Sequence, residues 1–197
     1  PAAQLAATLE AGLKNESVEN VTKKNSNQAN NDSVHVFYTY NSLSLDRLVY
    51  WFLKRSINLY GEALLKTVGY KFANSGSVDS GVNVIKKFWK EKGIESSALN
   101  IIDGSGLSPG NRVTAASLVT VLRYAKNQKW FPSFYNALPE INGIKMKSGS
   151  IGGVISYTGF IKSKSGDAYT FAFIINNYDG EANSIRKKMW RLLDILK

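Results

Sequence analysis

Three β-rich runs crowd the end of this chain, at about 144–151, 154–163 and 168–176, and they constrain its fold more than any other feature. They are rich in Ile, Val, Tyr, Phe and Thr, side chains that suit a pleated, half-buried surface. Ser165-Gly166-Asp167 separates the last two runs and reads as a hairpin turn. A C-terminal helix follows, whose apolar stripe of Ile185, Met189, Leu192, Leu193 and Leu196 can cover one sheet face. The segments ahead of the sheet are helix-periodic. Helices first, then an antiparallel sheet closed by a helix, define an α+β chain.

The helical part reads in detail. Ser44 is placed to cap a helix with Leu45, Leu48, Val49, Phe52 and Leu53 on its apolar face. The pattern breaks at Arg55-Ser56 and resumes with Leu59, Tyr60, Ala63, Leu64, Thr67 and Val68, so Ser56 and Asn58 fall at a joint between two helices. A third helix is predicted over Val82–Lys92, stopping at Gly93. Ile101-Ile102 leads into a tight loop, Asp103-Gly104-Ser105-Gly106-Leu107-Ser108, and Thr114 caps a helix over Ser117–Ala125. Trp130–Leu138 reads as a short helix ended by Pro139. Near the other end, Leu5, Leu9 and Leu13, with Ala2 and Ala6 beside them, predict an amphipathic helix. Residues 15–33 form a polar connector rich in Asn and Lys, and Val34–Tyr40 reads as a strand. One domain over 1–197 is expected.

Composition narrows the functions. At 197 residues, 44% apolar and 12% aromatic, the chain can bury a real core. No run reaches the roughly 18 apolar residues of a membrane-spanning helix. Pro1–Leu13 contains Gln4 and Glu10 and lacks a basic leader, so it does not read as a signal peptide, and export stays open. The absence of cysteine excludes disulfides, thiolate metal sites and a Cys nucleophile. The single histidine, His35, sits in a strand pattern and shows no partners for base or ligand chemistry, so no metal and no cofactor are expected. The net charge of +10 favours anionic partners, yet the basic residues are scattered in short runs such as Lys86-Lys87 and Arg186-Lys187-Lys188. No nucleic-acid motif accompanies them.

Three motifs in order carry the chemistry. Ser56-Ile57-Asn58 lies between helices, Asp103-Gly104-Ser105-Gly106-Leu107-Ser108 with Asn111 and Thr114 forms the loop, and Lys147-Ser148-Gly149 opens the β-rich part. Alone, the first suits a helix joint with a capping Asn58, and the last an exposed strand residue before a turn. In this order they resemble the C-terminal part of low-molecular-mass class C penicillin-binding proteins, which are serine-type D-alanyl-D-alanine carboxypeptidases and endopeptidases. Lys54 to Tyr60, with Glu62 and Leu64-Leu65, add to the likeness. The resemblance implies a penicillin-binding/β-lactamase-like transpeptidase fold and a peptidoglycan stem peptide or β-lactam as ligand. A periplasmic or otherwise exported location is implied too, and peptidoglycan carboxylates suit a basic surface.

The resemblance also implies roles. Ser56 would help pass a proton to the leaving amine, Asn58 would orient the substrate amide, and Lys147 with Ser148 would hold the terminal carboxylate. Gly149 leaves room for a substrate backbone beside the strand, and the Ser150 N–H would be an oxyanion-hole donor. Asp103, Gly104, Ser105 and Gly106 would shape the site. Lys147-Ser148 replaces the commoner Lys-Thr, both supplying a hydroxyl. Pro109 stands where the family usually carries a basic residue.

One motif is missing. Of the family's S-x-x-K, S-D-N and K-T-G set, the only S-x-x-K is Ser184-Ile185-Arg186-Lys187, which follows the Lys-Ser-Gly strand instead of preceding it. Ser184 is therefore not nominated as the nucleophile. The expectation is a rear half of the enzyme domain, inactive alone, with S-x-x-K in a missing N-terminal part of the same protein. The alternative is a pseudoenzyme that binds peptidoglycan or a partner without chemistry.

Overall fold

In the computed structural model of this chain, the structure describes residues 7–9, 11–12 and 41–197. The chain folds as two units, Pro1–Asn41 and Ser42–Lys197. In the first, residues 7–9 and 11–12 are helical, inside the helix expected from Leu5, Leu9 and Leu13. The connector 15–33, the strand 34–40 and His35 lie outside the described residues.

The second unit begins with helices α1 (Leu45–Arg55), α2 (Asn58–Ala73) and α3 (Val78–Glu91). A two-residue pair follows, β1 (Leu99–Asn100) with β2 (Arg112–Val113), and the Asp103 loop lies between its strands. Helices α4 (Ala115–Lys126) and α5 (Phe131–Ala137) lead to β3 (Glu140–Ile141), β4 (Ile144–Ile151), β5 (Val154–Lys162) and β6 (Ala168–Asn176), and α6 (Ala182–Asp194) closes the chain. The four strands form one antiparallel sheet in the order β3-β4-β5-β6. The expected α+β class and the three long strands are as read from the sequence, with the turn at 163–167 closed by the Ser163 N–H donating to the Asp167 carbonyl at 2.8 Å.

Both faces of this sheet are covered, and strand alternation decides what each face carries. Ile144 and Met146 of β4, with Ile155, Tyr157 and Ile161 of β5, pack on Met189 and Leu193 of α6. Phe160 points the other way, into a core with Leu122 of α4 and Leu138, flanked by Leu53 of α1 and by Phe131 and Phe134 of α5. Lys147 alternates with Met146, so it faces the helical cluster and not α6.

Some helical details differ from the sequence reading. The α3 helix starts at Val78, ahead of the expected Val82, because Ser77 is its N-cap and accepts from the Ser80 N–H at 3.1 Å. The polar first turn, Asp79-Ser80, concealed that start. In α6 the buried line is Ile185, Met189 and Leu193 with Ala182 and Trp190, while Leu192 is 54% exposed and Leu196 40%. Asn58 is the first helical residue of α2 and not its cap, a position held by Ile57.

The largest difference concerns α2. Its buried residues are Gly61, Leu65 and Gly69, whereas Leu59 is 74% exposed and Ala63 and Thr67 are also exposed. Hydrophobic periodicity missed this face because two of its three residues are glycines. A Cβ at Gly69 would stand 2.7 Å from the Gly81 nitrogen of α3, and one at Gly81 would overlap the Leu65 carbonyl. The two helices therefore meet backbone to backbone. Gly81→Ala is expected to cost about 1–3 kcal/mol or more by overpacking. Gly76→Ala, with nothing within 4 Å of the new methyl, is expected to stay within about 0.5 kcal/mol of the parent. Urea midpoints of the two variants check this, and equal midpoints would contradict the close approach.

Candidate active site

The α1–α2 corner is built by a sharp reversal. Ser56 ends α1 in the left-handed conformation, φ 51°, and Ile57 returns to extended backbone before α2 begins. Left-handed backbone is costly for a non-glycine residue, so the corner is held by its surroundings. It brings the Ser56 hydroxyl to β4, where the Lys147 ammonium donates to Ser56 Oγ at 2.6 Å and to the Ser148 carbonyl at 3.0 Å. The two side chains are 91 positions apart in sequence. Among the described residues, no carboxylate pairs with Lys147. Burial pushes its amine below the ordinary lysine value, because desolvation penalises the charged form.

The neighbouring residues are placed as follows. Asn58 is exposed on the first turn of α2, two positions from Ser56, and its side chain has no hydrogen bond among the described residues. Ser148, Gly149 and Ser150 lie exposed on β4, paired through its inner side to Tyr157, Ser156 and Ile155. Among the described residues the outer edge of β4 is open there, because β3 pairs only with Ile144 and Lys145. A methyl on Gly149 would stand 2.7 Å from Ser156 Oγ, a side-chain atom on the adjacent strand that would have to turn aside. The structure thus brings Ser56 and Lys147 together, with Asn58 and residues 148–150 close by in sequence.

The Asp103 loop acts elsewhere, as a brace for α2. Asp103 Oδ1 accepts from the Gly106 N–H at 2.5 Å and the Ser105 hydroxyl at 3.3 Å, and Oδ2 accepts from the Ser108 N–H at 2.7 Å. Asn111 Oδ1 accepts from the Ile102 N–H at 2.9 Å, and its amide donates to the Ser108 carbonyl at 2.9 Å. The loop then docks on α2, where a Cβ on either Gly61 or Gly104 would overlap the other's backbone. Glu62 Oε1 accepts from the Ser105 N–H at 3.0 Å. Sequence reading noted Glu62 only as a neighbour of Ser56, since no pattern signals a contact 43 residues away. Next to this contact lies an apolar cavity of about 490 Å³ lined by Phe52, Leu64, Val68, Ile85, Ile101 and Leu118, among others.

Thr114 caps α4 as expected, accepting from the Ser117 N–H at 3.1 Å. Ser184 and Lys187 are exposed on α6, which covers the sheet face opposite the one that Lys147 shares with Ser56. Among the described residues, no group of three or more His, Cys, Asp or Glu side chains is arranged to hold a metal ion. No helix among them is long and apolar enough to cross a membrane.

A helical cluster, a sheet closed by a terminal helix, and a serine–lysine bridge at an open strand edge define a penicillin-binding/β-lactamase-like fold. Penicillin-binding protein 4 of Haemophilus influenzae, solved with a β-lactam, superposes with a TM-score of 0.67 at 25% identity, covering 78% of this chain and 42% of that one. A class A β-lactamase from Bacteroides cellulosilyticus shares the fold, with a TM-score of 0.55 at 20% identity, covering 77% of this chain and 64% of the other. The sequence profile described as the D-Ala-D-Ala carboxypeptidase 3 (S13) family matches residues 1–145 and 140–196, and the chain belongs to that family. It is 27% identical over 168 residues to a D-alanyl-D-alanine carboxypeptidase of an Actinomadura species, covering 75% of this chain and 31% of that protein. It is 28% identical over 156 residues to the carboxypeptidase DacB of H. influenzae, covering 69% of this chain and 33% of that protein. The chain thus spans about a third of the length of these curated relatives.

The loop network sets a pH dependence. Burial works against ionisation of Asp103, but the Ser108 and Gly106 N–H groups, with the Asn111 and Ser105 side chains, outweigh it and hold the carboxyl below its ordinary value. A depressed carboxyl stabilises the fold fully above its unfolded pKa of about 4, and this contribution is lost as pH falls through the lower folded value. Asp103→Asn is expected to cost about 1–3 kcal/mol at pH 7, because one N–H donor then faces an NH₂ group. The gap between variant and parent should shrink at acid pH. Urea midpoints at neutral and acid pH measure both effects, and a pH-independent gap would contradict the assignment.

Proposed function

We propose that this chain supplies substrate recognition and half of the proton-transfer machinery of a serine-type D-Ala-D-Ala carboxypeptidase/endopeptidase acting on peptidoglycan stem peptides. The S-x-x-K nucleophile would come from residues outside this chain. The observation that carries the reading is the 2.6 Å bond from Lys147 to Ser56, made across 91 positions at an open strand edge. In acyl transfer the amine leaving the tetrahedral intermediate must take up a proton. The Ser56 hydroxyl gives its proton to that nitrogen and takes one from the Lys147 ammonium, leaving a neutral amine. Burial favours this direction, since it has already lowered the proton affinity of Lys147.

The remaining roles follow from position. Lys147 and the Ser148 hydroxyl attract the substrate's terminal carboxylate. The Ser150 N–H donates to the developing oxyanion, a type of contact worth about 3–4 kcal/mol in the transition state. Asn58 orients the substrate amide beside Ser56. Asp103, Gly104, Ser105 and Gly106 act at a distance, by pinning the α2 helix whose start carries Asn58. A wall-directed enzyme of this kind works in the periplasm or outside the cell, where a basic surface meets carboxylate-rich polymer.

A non-catalytic peptidoglycan-binding role is the second reading, favoured by one observation: the only S-x-x-K serine, Ser184, sits exposed on the helix behind the sheet. Labelled penicillin separates the two. This chain alone is expected to form no covalent adduct, and a stoichiometric adduct on it would overturn the division of labour proposed. In a protein that joins this chain to a family S-x-x-K segment, acylation is expected, and Ser56→Ala should slow it by about 10²-fold or more. Absence of acylation in the joined protein would favour the binding role.

A further inference from the structure

A second concave site lies on the helical side of the sheet, away from Lys147, and none of the three motifs touches it. Helix α4 packs on β6, and between its last two turns and the start of that strand opens a cleft of about 420 Å³. One wall is the stripe Val119, Arg123, Lys126 and Asn127, whose i, i+4, i+7, i+8 spacing puts them on one side of α4. The other wall is the run from Ala168 through Tyr169 to Thr170. Thr170 pairs with Phe160, which pairs with Lys145, so this wall stands two strands from β4, about 10 Å by strand spacing.

The cleft is one-sided in charge, with two cations and no carboxylate in its lining. Arg123 and Lys126 are exposed, and neither has an ion pair or a side-chain hydrogen bond among the described residues. Lys162, in register with Ala168, adds a third positive charge on the same sheet face. The carboxylate next in sequence, Asp167, is occupied within the hairpin turn, where it accepts from the Ser165 hydroxyl at 2.7 Å. Basic residues in a last turn also complement the helix dipole, which accounts for their sign but not for the walled cleft between them and β6.

Two cations one helical turn apart, one of them a guanidinium fork, fit a doubly charged tetrahedral oxyanion better than a single carboxylate. A bare phosphate would leave most of the space unused. The volume falls in the range of small-molecule sites, about 300–1,000 Å³, against roughly 30 Å³ for one water. Asn127 and Thr170 bring an amide and a hydroxyl that suit sugar hydroxyls, and Val119 and Tyr169 bring apolar surface for the C–H face of a ring. We infer that this cleft is a ligand site for a phosphate carried on a sugar or polyol, separate from the Ser56–Lys147 bridge. Binding here requires neither a nucleophile nor a peptide on β4, and so is independent of the function proposed above.

Titration of this chain, followed by the nuclear magnetic resonance signals of the backbone amides at 123–127 and 168–170, tests the site. The probes are glucose 1-phosphate, inorganic phosphate and glucuronate. Glucose 1-phosphate should shift the signals of both walls saturably and bind about tenfold more tightly than either of the others, the effect of one charge-assisted hydrogen bond. Added sodium chloride should weaken it, because the cations are exposed. Arg123→Gln and Lys126→Gln should each cost about tenfold in affinity, Arg123→Lys should retain part of it, and Lys87→Gln, on α3, should leave it unchanged. The amide signals elsewhere in each variant report that the fold is kept. Absence of saturable shifts at the two walls, or unchanged affinity in the variant carrying both Arg123→Gln and Lys126→Gln, would overturn the site. Equal binding of inorganic phosphate would overturn the sugar or polyol assignment, and equal binding of glucuronate the phosphate assignment.

Discussion

The backbone-to-backbone contacts of α2 are the constraint on which the rest of the second unit depends. Gly61 meets Gly104 of the loop and Gly69 meets Gly81 of α3, on the same buried face as Leu65. Glycine in a helix interior lowers its intrinsic stability, so the tertiary contact has to compensate. What results is a helix whose position is set by excluded volume rather than by interlocking side chains. Its first turn carries the corner that points at the sheet. A shift of α2 by even one ångström would move that corner off Lys147.

The serine–lysine bridge is held from two directions. On one side the sheet fixes Lys147, since β4 is paired along its length with β5 and its alternate residues Ile144 and Met146 are locked under α6. On the other, the loop fixes α2 through Glu62 and the Gly61–Gly104 contact. The loop itself owes its shape to one carboxylate that satisfies three donors and one side-chain amide that both donates and accepts. Such a network is rigid because each member would be left with an unpaired polar group if another moved. Lys147, half-buried and with no carboxylate partner among the described residues, is costly in the charged form, and the cost is what lowers its proton affinity.

Much of this was legible in the sequence. The three long strands of the sheet, the hairpin turn at 163–167, the Thr114 cap and the helix joint at Ser56 all announce themselves through local chemistry: β-branched runs, a glycine turn, a capping hydroxyl and a break in period. Other features were not. The buried faces of α2 and α6 departed from the hydrophobic pattern, in the first because glycines form the contact surface, in the second because Leu192 turns away from the sheet and Leu196 lies beyond Asp194, the last residue of the helix. The early start of α3 was hidden by a polar cap sequence that periodicity does not register. Glu62 was noted only as part of the likeness around Ser56, since its partner, the Ser105 N–H, is distant in the chain.

The order of the three motifs, the α+β class and the absence of an upstream S-x-x-K within this chain are properties of the sequence alone, because they need only local propensity and the linear arrangement of residues. That Ser56 and Lys147 share a hydrogen bond and that both faces of the sheet are covered were decided by the tertiary structure. Such placements follow from how helices and strands exclude one another's volume, and that information is spread over the whole chain.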